Sequence, residues 1–499
     1  MKQHARCIMV QGTMSGAGKS LLCAALCRIF RQDGYRVAPF KSQNMALNSY
    51  ITRDGLEMGR AQVTQAEAAG IEPDVRMNPI LLKPCSDTGS QVIVRGKVRG
   101  QMAAKEYFRM KKQLIPDILD SYQSLAEEYD IIVIEGAGSP AEINLKSDDI
   151  VNMVLAKLVD APVLLVGDID RGGVFAQLYG TTALLEPEEY DRICGLIINK
   201  FRGDPTILTP GLDMLTQKTG VPVVGVVPYV TVYLDDEDSF APRLSHNRAE
   251  KPIDIAVIRF PRISNFTDLA PLETHPMLGV RYVSSADSLG KPDMVILPGT
   301  KSTTDDLLWM RQNGLEAAVL KLASSDTPIL GICGGYQMMG ETLSDPNLTE
   351  GTHLMLEGMH LLPVRTVFTE QKTRTRIHGT VCAPAWNGAS LDAYEIHMGE
   401  TTVNGDPFAV LEDGKTDGCI CGRFAGTYLH GLFDSGELTG KLAADLCRQK
   451  GLHPECIKPR SRREYAELEY DKLADTVRSS LQMDIIYQIL NRESGGNES

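Results

Sequence analysis

The sequence predicts an α/β protein with two large domains, and three features of the chain lead to this prediction. At 499 residues the chain is too long to fold around a single hydrophobic core. Its first half alternates helical patterns with short runs of Val, Ile and Leu, and runs without polar alternation are typical of strands buried on both faces. A second series of the same kind begins near residue 254. The first half is therefore predicted to form a doubly wound parallel sheet, and the second half a second α/β domain.

The individual strands are predicted from apolar runs bounded by loop residues. In the first half they are CIMVQ (7–11), RVAPF (36–40), IIVIE (131–135), PVLLVGD (162–168), CGLIINK (194–200) and VPVVGVVP (221–228). In the second half they are DIAVIRF (254–260), VRYVS (280–284), DMVILPG (293–299) and PILGI (328–332). Residues 354–430 are richer in strand patterns, and helical stretches follow from about residue 437.

A change of composition separates the two halves. The segment DDEDSFAPRLSHNRAE (235–250) is first acidic and then polar, with little periodicity, as expected for a linker. We therefore predict a first domain over residues 1–234, a linker over 235–250, a second domain over 251–445 and a C-terminal helical extension over 446–499.

The composition is that of an ordinary globular protein, with 43% hydrophobic residues, 23% charged residues and a net charge of −13. Nucleic-acid-binding proteins are more often basic, and no Lys/Arg cluster with interleaved aromatic residues occurs, so no nucleic-acid partner is predicted. The eleven cysteines are scattered without a C-x-x-C motif, which argues against a zinc site and fits a reducing cytoplasm. Neither a signal peptide nor a membrane span is predicted. The oligomeric state does not follow from the sequence.

A phosphate-binding loop is predicted where the first strand leads into the first helix. The sequence there is GTMSGAGKS (12–20), and the backbone amides of such a loop surround phosphate oxygens. Lys19 is expected to reach the β- and γ-phosphates, and Ser20 to bind magnesium. Thr13 stands where the strict G-x-x-x-x-G-K-[ST] pattern has glycine, while Gly16 and Gly18 remain. This variant resembles the loop of the dethiobiotin synthetase-like ATPases, which include ligases that phosphorylate carboxylates.

Acidic side chains suited to a magnesium site follow later strands. Glu135 ends the strand IIVIE, and a carboxylate at that end of a parallel strand can complete the metal site with Ser20. Glu142 is a weaker candidate for binding substrate or assisting phosphoryl transfer, because a solvated loop acid would give the same pattern. The segment GDIDRGG (167–173) is either an active-site loop or a structural turn, and its polar residues are Asp168, Asp170 and Arg171.

Further polar residues are predicted to reach nucleotide or substrate. Asn199 follows the strand GLIIN and would either read adenine, as in similar ATPases, or cap the strand end. After the second strand, FKSQNMALNSY places Lys41, Gln43, Asn44 and Asn48 in one loop. Such a loop reaches the crevice at the carboxyl end of a parallel sheet, where a cation could hold a γ-phosphate or a substrate carboxylate. An ordinary polar loop is the alternative.

The segment PILGICGGYQMMG (328–340) predicts a nucleophile on a sharp turn. The strand ends at Ile332, a helix is expected from Tyr336 to Leu343, and Cys333 lies between them among glycines. A side chain on such a turn projects from the sheet, and the adjacent helix N-terminus favours the thiolate. The amide of Gly334 could contribute to an oxyanion hole. A core cysteine beside a glycine turn is the alternative.

A thiol nucleophile requires a nearby base, and His430 in GTYLHGLF is the best candidate. The pair resembles the cysteine–histidine arrangement of class I glutamine amidotransferases, and LPGTKST (297–303) resembles their oxyanion segment, with Gly299 as the expected donor. Many relatives carry a glutamate two residues after the histidine, where this chain has Leu432, so a third member is either missing or supplied from elsewhere in the chain. A dyad is therefore the simplest prediction, and Asp434 is not favoured as a third member.

Motifs along nearly the whole chain resemble the cobyric acid synthase family, the glutamine-dependent amidotransferases of adenosylcobalamin biosynthesis. The related cobyrinate a,c-diamide synthases share the two-domain plan but carry an acidic segment where this chain has KSQNM. The matching motifs are GTMSGAGKS, KSQNMALNS, EMGRAQVTQAEAAG (57–70), MNPILLKP (77–84), IEGAGSPAEINL (134–145), GDIDRGGVFA (167–176), IINKFRGD (197–204), PGTKST, GICGGYQMMG, YEIHMGET (394–401) and YLHGLF.

The resemblance implies a P-loop, dethiobiotin-synthetase-like domain that acts as an ATP-dependent amidoligase, followed by a class I glutamine amidotransferase-like α/β domain. It implies Mg²⁺ as cofactor and ATP, glutamine and a corrinoid, adenosylcobyrinic acid a,c-diamide, as substrates. Glutamine would be hydrolysed at Cys333, and the ammonia would amidate the b, d, e and g carboxylates through acyl phosphates, giving adenosylcobyric acid.

Two other interpretations of the sequence remain open. One is a related amidoligase with another acceptor, such as a cobyrinate a,c-diamide synthase or a ligase that acts on a cell-wall precursor. The other is a partitioning-type nucleotide-switch ATPase, whose loop typically begins K-G-G where this chain has GTMSGAG. In the second case Cys333 and His430 would have no catalytic role.

Overall fold

The computed structural model describes residues 5–84, 89–232, 234, 251–350, 353–453 and 460–492, without the side chains of 370–372. The predicted linker, residues 235–250, lies outside these ranges. The chain forms two compact units, the first from parts of 1–45, 57–234 and 467–499 and the second from parts of 46–56 and 235–466. Two segments therefore group differently from the predicted domains: residues 46–56 belong to the second unit, and the region from residue 467 belongs to the first.

The described residues contain strands and helices in the following order. The strands are β1 (Arg6–Gly12), β2 (Val37–Phe40), β3 (Gln43–Met45), β4 (Ser49–Ile51), β5 (Glu57–Gly59), β6 (Ile80–Pro84), β7 (Gly89–Val94), β8 (Lys97–Ala103), β9 (Ile131–Glu135), β10 (Val163–Asp168), β11 (Ile193–Phe201), β12 (Val223–Pro228), β13 (Ile253–Ile258), β14 (Leu278–Val283), β15 (Met294–Leu297), β16 (Ile329–Ile332), β17 (Thr342–Ser344), β18 (Met355–Glu357), β19 (Val364–Val381), β20 (Ser390–Val403), β21 (Ala409–Leu411), β22 (Thr416–Asp417), β23 (Cys419–Cys421), β24 (Phe424–Thr427) and β25 (Leu429–His430). The helices are α1 (Lys19–Gln32), α2 (Arg60–Ala69), α3 (Ala104–Met110), α4 (Ile115–Glu128), α5 (Met153–Leu158), α6 (Val174–Ala183), α7 (Pro187–Tyr190), α8 (Thr209–Thr219), α9 (Ala270–Thr274), α10 (Ala286–Leu289), α11 (Thr303–Gln312), α12 (Leu315–Ala323), α13 (Gly334–Met338), α14 (Glu437–Gln449), α15 (Arg462–Ser480) and α16 (Met483–Leu490).

The first unit is built on a parallel sheet in the order β12-β11-β10-β1-β9-β2. All six strands predicted for the first half are present, and their residues are largely buried, as their apolar runs require. Because β1 lies between β9 and β10, the loop after β1 emerges beside the last residues of both neighbours, Glu135 and Asp168. The predicted fold class is confirmed here.

A smaller four-stranded sheet, in the order β3-β6-β7-β8, also belongs to the first unit and is absent from the predictions. Its outer strand β8 has the sequence KVRGQMA and is exposed or half-exposed at every residue. A strand of this kind carries no continuous apolar run, so its pattern cannot be told from that of a loop.

The C-terminal helical region completes the first unit. Arg28 of α1 binds Asp471 and Glu467 of α15 at 2.8 Å each, and Tyr487 of α16 packs edge-on against Phe30 of α1 at 5.7 Å. Helix α1 starts with the phosphate-loop residues Lys19 and Ser20. The end of the chain therefore supports the helix on which the predicted nucleotide site depends.

The second unit contains a sheet in the order β14-β13-β15-β16-β24-β23, parallel except for the pair β23–β24. A second sheet is dominated by the antiparallel pair β19–β20, which accounts for the predicted strand-rich region 354–430. Strand β25 pairs with β20 and sets Tyr394 opposite His430. The two-unit α/β architecture agrees with the prediction.

The helix predicted for residues 336–343 is wrong in extent. Helix α13 covers Gly334–Met338, and residues 342–344 form strand β17 instead. The backbone packs closely at Gly340, where a Cβ atom would lie 2.7 Å from the carbonyl oxygen of Val364. Apolar spacing alone could not reveal this contact with a residue far along the chain. Among the described residues, no helix is both long enough and apolar enough to cross a membrane.

Candidate active sites

The phosphate loop has the predicted form in the first unit. It connects β1 to α1, and Gly16 and Gly18 adopt left-handed φ angles of 75° and 95°. Glycine is required at position 18, because a Cβ atom there would lie 2.1 Å from Nδ2 of Asn199. Lys19 Nζ donates to the carbonyl oxygens of Met14 at 3.1 Å and Gly138 at 3.2 Å, so its ammonium group lies over the loop.

Glu135 is the centre of a buried polar cluster beside this loop. Its side chain is 1% exposed, and its carboxylate accepts hydrogen bonds from Ser20 Oγ at 2.8 Å, Lys41 Nζ at 2.9 Å and Gln65 Nε2 at 2.5 Å. A hydroxyl and a carboxylate are the oxygen donors that Mg²⁺ prefers, so Ser20 and Glu135 fit the predicted metal site. Within the described ranges, no group of three or more His, Cys, Asp or Glu side chains is placed to hold a metal. Any Mg²⁺ here would therefore take further ligands from phosphate or water.

The three residues of the predicted second loop that lie in the first unit, Lys41, Gln43 and Asn44, bind three different partners. Lys41 binds Glu135, whereas the Gln43 side chain accepts a hydrogen bond from the Tyr107 hydroxyl. Asn44 Nδ2 donates to Gln62 Oε1 at 3.2 Å. Asn48 lies in the segment that belongs to the second unit.

Helix α2 contributes two glutamines that the sequence analysis did not select. Gln62 and Gln65 are fully buried and lie one helical turn apart. Gln65 contacts Glu135 at 2.5 Å, and Gln62 contacts Glu135 at 3.5 Å and Asn44 at 3.2 Å. The signal available in EMGRAQVTQAEAAG was a pair of glutamines three residues apart on the apolar side of a predicted helix. A core-facing position otherwise favours an apolar side chain.

The carboxyl-terminal ends of β10 and β11 support the phosphate loop from the other side. Asn199 Nδ2 donates to the carbonyl oxygen of Ala17 at 2.9 Å. Lys200, which the sequence analysis did not select, donates to Gly16 O at 2.5 Å and to Asp168 Oδ2 at 2.8 Å. Asp168 and Asn199 are paired in register on adjacent strands, which places these groups together.

Four other residues named in the sequence analysis remain, and each has its own surroundings. Asp170 binds Arg202 at 2.9 Å, and Arg171 is mostly exposed, 3.8 Å from Asp168. Thr13 donates through Oγ1 to Gln177 Oε1 at 3.1 Å. Glu142 is exposed in the loop after β9.

Cys333 occupies a strained turn between β16 and α13 in the second unit. Its φ and ψ angles are 52° and −109°, a conformation that side-chain-bearing residues rarely adopt. The turn is held by a hydrogen bond from Cys333 N to Thr427 O at 2.8 Å. The thiol is almost buried and lies 3.7 Å from the carbonyl oxygen of Ile396 on β20. This is the geometry of a nucleophile at a strand-to-helix turn.

His430 forms a hydrogen-bonded ion pair with Asp268, a residue the sequence analysis did not select. Nδ1 of His430 lies 2.6 Å from Asp268 Oδ2, and Gly431 N donates to Asp268 Oδ1 at 3.0 Å. The predicted dyad therefore has a third member, contributed from a region well before Cys333. The signal in the sequence was only an acid in a short apolar segment, SNFTDLAPL, with no fixed spacing to the cysteine.

The electrostatics of this site favour a charged histidine. Burial by itself would lower the pKa of His430, but the Asp268 carboxylate and the hydrogen bond with Cys333 raise it to about 10. His397 behaves oppositely: burial and the neighbouring His430 lower its pKa to about 4, and it stacks on Tyr428 at 3.7 Å.

Both predicted oxyanion glycines lie at this centre. A Cβ atom at Gly299 would lie 3.2 Å from Cε1 of His430, and one at Gly334 would lie 2.8 Å from Cγ2 of Thr300. The loop that carries Gly299 is fixed by Thr300, whose hydroxyl contacts Asp306 and the Arg262 carbonyl oxygen. Burial raises the pKa of Asp306 to about 6.

Comparison with known proteins assigns a family to each part of the chain. Residues 8–238 match the family model described as the CobQ/CobB/MinD/ParA nucleotide binding domain. Residues 254–438 match the model described as the CobB/CobQ-like glutamine amidotransferase domain. These ranges contain the phosphate loop with Glu135 and the Cys333–His430–Asp268 site, respectively.

Relatives match over almost the full length. The chain is 57% identical over 510 residues to the cobyric acid synthase of Lachnoclostridium phytofermentans, covering 97% of this chain and 99% of that protein. It is 56% identical over 511 residues to that of Ruminiclostridium cellulolyticum, covering 99% of each. It is 51% identical over 500 residues to that of Streptococcus sanguinis, covering 98% and 99%.

Proposed function

The chain belongs to the cobyric acid synthase family, and from this premise we propose that it amidates the b, d, e and g carboxylates of adenosylcobyrinic acid a,c-diamide. It is a glutamine-hydrolysing carbon–nitrogen ligase of cobalamin biosynthesis. The observation that carries the proposed use of glutamine is the strained Cys333 turn beside the His430–Asp268 pair.

Glutamine hydrolysis begins at Cys333 in this proposal. The thiolate attacks the side-chain amide carbon of glutamine, and the backbone amides of Gly334 and Gly299 stabilise the oxyanion. The His430 imidazolium gives its proton to the departing nitrogen, which leaves as ammonia and produces a thioester. Neutral His430 then takes a proton from water, whose oxygen attacks the thioester, and glutamate is released as the thiolate reforms. Asp268 holds His430 in one orientation through both proton transfers.

The ammonia is used at the phosphate-loop site. A carboxylate of the corrinoid attacks the γ-phosphorus of ATP, releasing ADP and giving an acyl phosphate; ammonia then attacks the acyl carbon and inorganic phosphate leaves. Lys19 and Lys41 would offset the negative charge on the transferred group. When bound by Ser20 and Glu135, Mg²⁺ would supply charge neutralisation at the phosphates.

The remaining predicted residues take binding roles in the same proposal. Asn199 would accept a hydrogen bond from adenine through its amide oxygen, because its amide nitrogen already donates to Ala17. Gln43 and Asn44 would orient the corrinoid carboxylate, and Glu142 would assist phosphoryl transfer. Lys41 would leave Glu135 when the substrate carboxylate or the γ-phosphate arrives.

The test uses the full chain with MgATP, the corrinoid a,c-diamide and glutamine labelled with heavy nitrogen in its side-chain amide. The proposal expects a product with four labelled amides, each formed with one molecule of ADP. A panel with cobyrinic acid and a cell-wall precursor serves as the acceptor control. If another acceptor in the panel gains the label and the a,c-diamide does not, the proposed substrate is contradicted and a related amidoligase is favoured.

A further inference from the structure

We propose that residues 46–56, the 46–56 segment, form a positioning element of the glutamine-hydrolysing site, with Ser49, Tyr50 and Ile51 supporting its three catalytic residues. The segment is interposed in the nucleotide-binding half of the sequence but belongs to the second compact unit. The inference rests on the proposed function only in taking glutamine as the substrate at Cys333.

The first contact supports the histidine. Tyr50 packs edge-on against Tyr394 with ring centroids 5.8 Å apart, and its hydroxyl bonds to Arg376. Tyr394 in turn stacks on the His430 ring at 5.4 Å and 25°. The Tyr50 ring therefore limits how far Tyr394 can move away from His430.

The second contact supports the cysteine. Ile51 is fully buried in a small apolar cluster with Tyr394 and Ile396 of β20. The carbonyl oxygen of Ile396 is the group that the Cys333 thiol contacts at 3.7 Å. Packing by Ile51 thus fixes the strand position that faces the nucleophile.

The third contact supports the aspartate. Ser49 N donates to Asn265 Oδ1 at 3.3 Å, and Asn265 has a left-handed φ of 50°. Asn265 precedes the 3₁₀ turn Phe266–Leu269, and its carbonyl oxygen accepts from Asp268 N at 3.0 Å. Asn265 therefore connects the segment to the residue that orients His430.

These contacts argue for positioning rather than for direct catalysis. Ser49, Tyr50 and Ile51 contact Asn265, Tyr394 and Ile396, and these residues in turn contact or precede the catalytic side chains. Small displacements of catalytic groups reduce rates far more than they reduce binding, so loss of the segment should lower kcat more than it raises KM. The two ends of the segment continue into residues of the first unit, and Lys41, which binds Glu135, lies shortly before it.

The experiment uses full-length Tyr50→Ala and Asn265→Gly; glycine accepts the left-handed conformation at 265, so the side-chain acceptor is removed without backbone strain. Glutamate release should show kcat lowered about 10- to 100-fold with KM changed far less, and Tyr50→Phe should restore most of the rate because it keeps the ring. Tyr179→Ala, at an exposed tyrosine of α6, is the matched control and should retain the wild-type rate.

The rate of ammonia-driven amidation and the thermal midpoint of unfolding measure whether the rest of the chain is intact. Both should stay near their wild-type values in Asn265→Gly and Tyr50→Phe. A kcat for glutamate release near wild type in both Tyr50→Ala and Asn265→Gly would overturn the proposal. An equal fall of the glutamine- and ammonia-driven rates would also overturn it, because the segment would then support the whole fold. Glutamate release needs no corrinoid, so the result stands apart from the acceptor test.

Discussion

In the candidate site of the first unit, the charged groups are bonded to one another where ligands would bind. In the second unit, Cys333 and His430 are already placed for reaction. In the first, Glu135 binds Lys41, Ser20 and Gln65, so ligands must replace these bonds. In the second, Cys333 is strained on its turn and His430 is already oriented by Asp268. Under the proposed function, phosphoryl transfer would require exchange of these partners, while glutamine hydrolysis would depend on a preformed arrangement.

The largest single-residue effect in the first unit is expected from Glu135→Gln. The change removes the carboxylate that Ser20 and Lys41 contact, and with it the proposed metal ligand, so ammonia-driven amidation should fall about 10²- to 10³-fold. Glutamate release should stay near wild type. Glu127→Gln, at an exposed glutamate of α4, is the control. Equal loss of both activities would contradict the separation of the two sites.

Asp268→Asn should produce the opposite pattern. Without the carboxylate, the pKa of His430 falls from about 10 and the imidazole is held less well, so kcat for glutamine hydrolysis should drop about 10²-fold. Ammonia-driven amidation should be nearly unaffected. Both rates should also be measured across pH. If the imidazolium is the active form, the residual glutaminase activity of Asp268→Asn should rise as the pH falls. An unchanged glutaminase rate would remove Asp268 from the site.

Gly299→Ala tests how closely the preformed site is packed. The added Cβ would lie 3.2 Å from His430 Cε1 and 3.2 Å from Ser264 O, so the histidine or the loop must shift by a few tenths of an ångström. Glutamate release should fall about tenfold, with the ammonia-driven reaction preserved. Gly180→Ala, in helix α6 of the first unit, is the glycine control, because a Cβ atom there would have no neighbour within 4 Å. A Gly299→Ala enzyme with the wild-type kcat would show that Gly299 has no part in the centre.

The ion pair also predicts a pH dependence of stability. The pKa of His430 is raised from its ordinary value of 6.5 to about 10, so its stabilising contribution is fully present below 6.5 and lost as pH rises through 10. The difference in urea midpoint between wild type and Asp268→Asn should therefore be largest in mild acid and shrink on the alkaline side. A difference that grows with pH would contradict the charged state assigned to His430.

The smallest effect is expected from Thr13→Gly, which restores the strict phosphate-loop pattern. Thr13 contributes one hydrogen bond to Gln177, and a net hydrogen bond is worth roughly 1 kcal/mol, so KM for ATP should change by less than about tenfold. Steady-state amidation at varied ATP measures this directly. A large loss would show that Thr13 has a catalytic role the geometry does not indicate.

The same comparison separates what the sequence could predict from what it could not. Cys333, Lys19 and Ser20 were predictable because a strand, a turn and a helix start lie within a few residues and carry a local pattern. Asp268 could not be predicted, because it lies far from His430 in the sequence and contacts it in the folded chain. The 46–56 segment and the C-terminal helices pair with parts of the chain far away in sequence, and periodicity contains no information about such partners. The placement of Lys200 against Gly16 was missed for the same reason.

In the proposed function, Cys333 makes ammonia for chemistry performed by the nucleotide-binding half of the chain. The most direct test compares wild type with Cys333→Ala, using MgATP and the corrinoid a,c-diamide, with nitrogen supplied as glutamine or as ammonium chloride at alkaline pH. Cys421→Ala, at an exposed cysteine, controls for the loss of a thiol. We expect Cys333→Ala to lose glutamine-driven amidation and to keep the ammonia-driven reaction. Retention of glutamine-driven amidation, or loss of both reactions in a folded protein, would contradict the account.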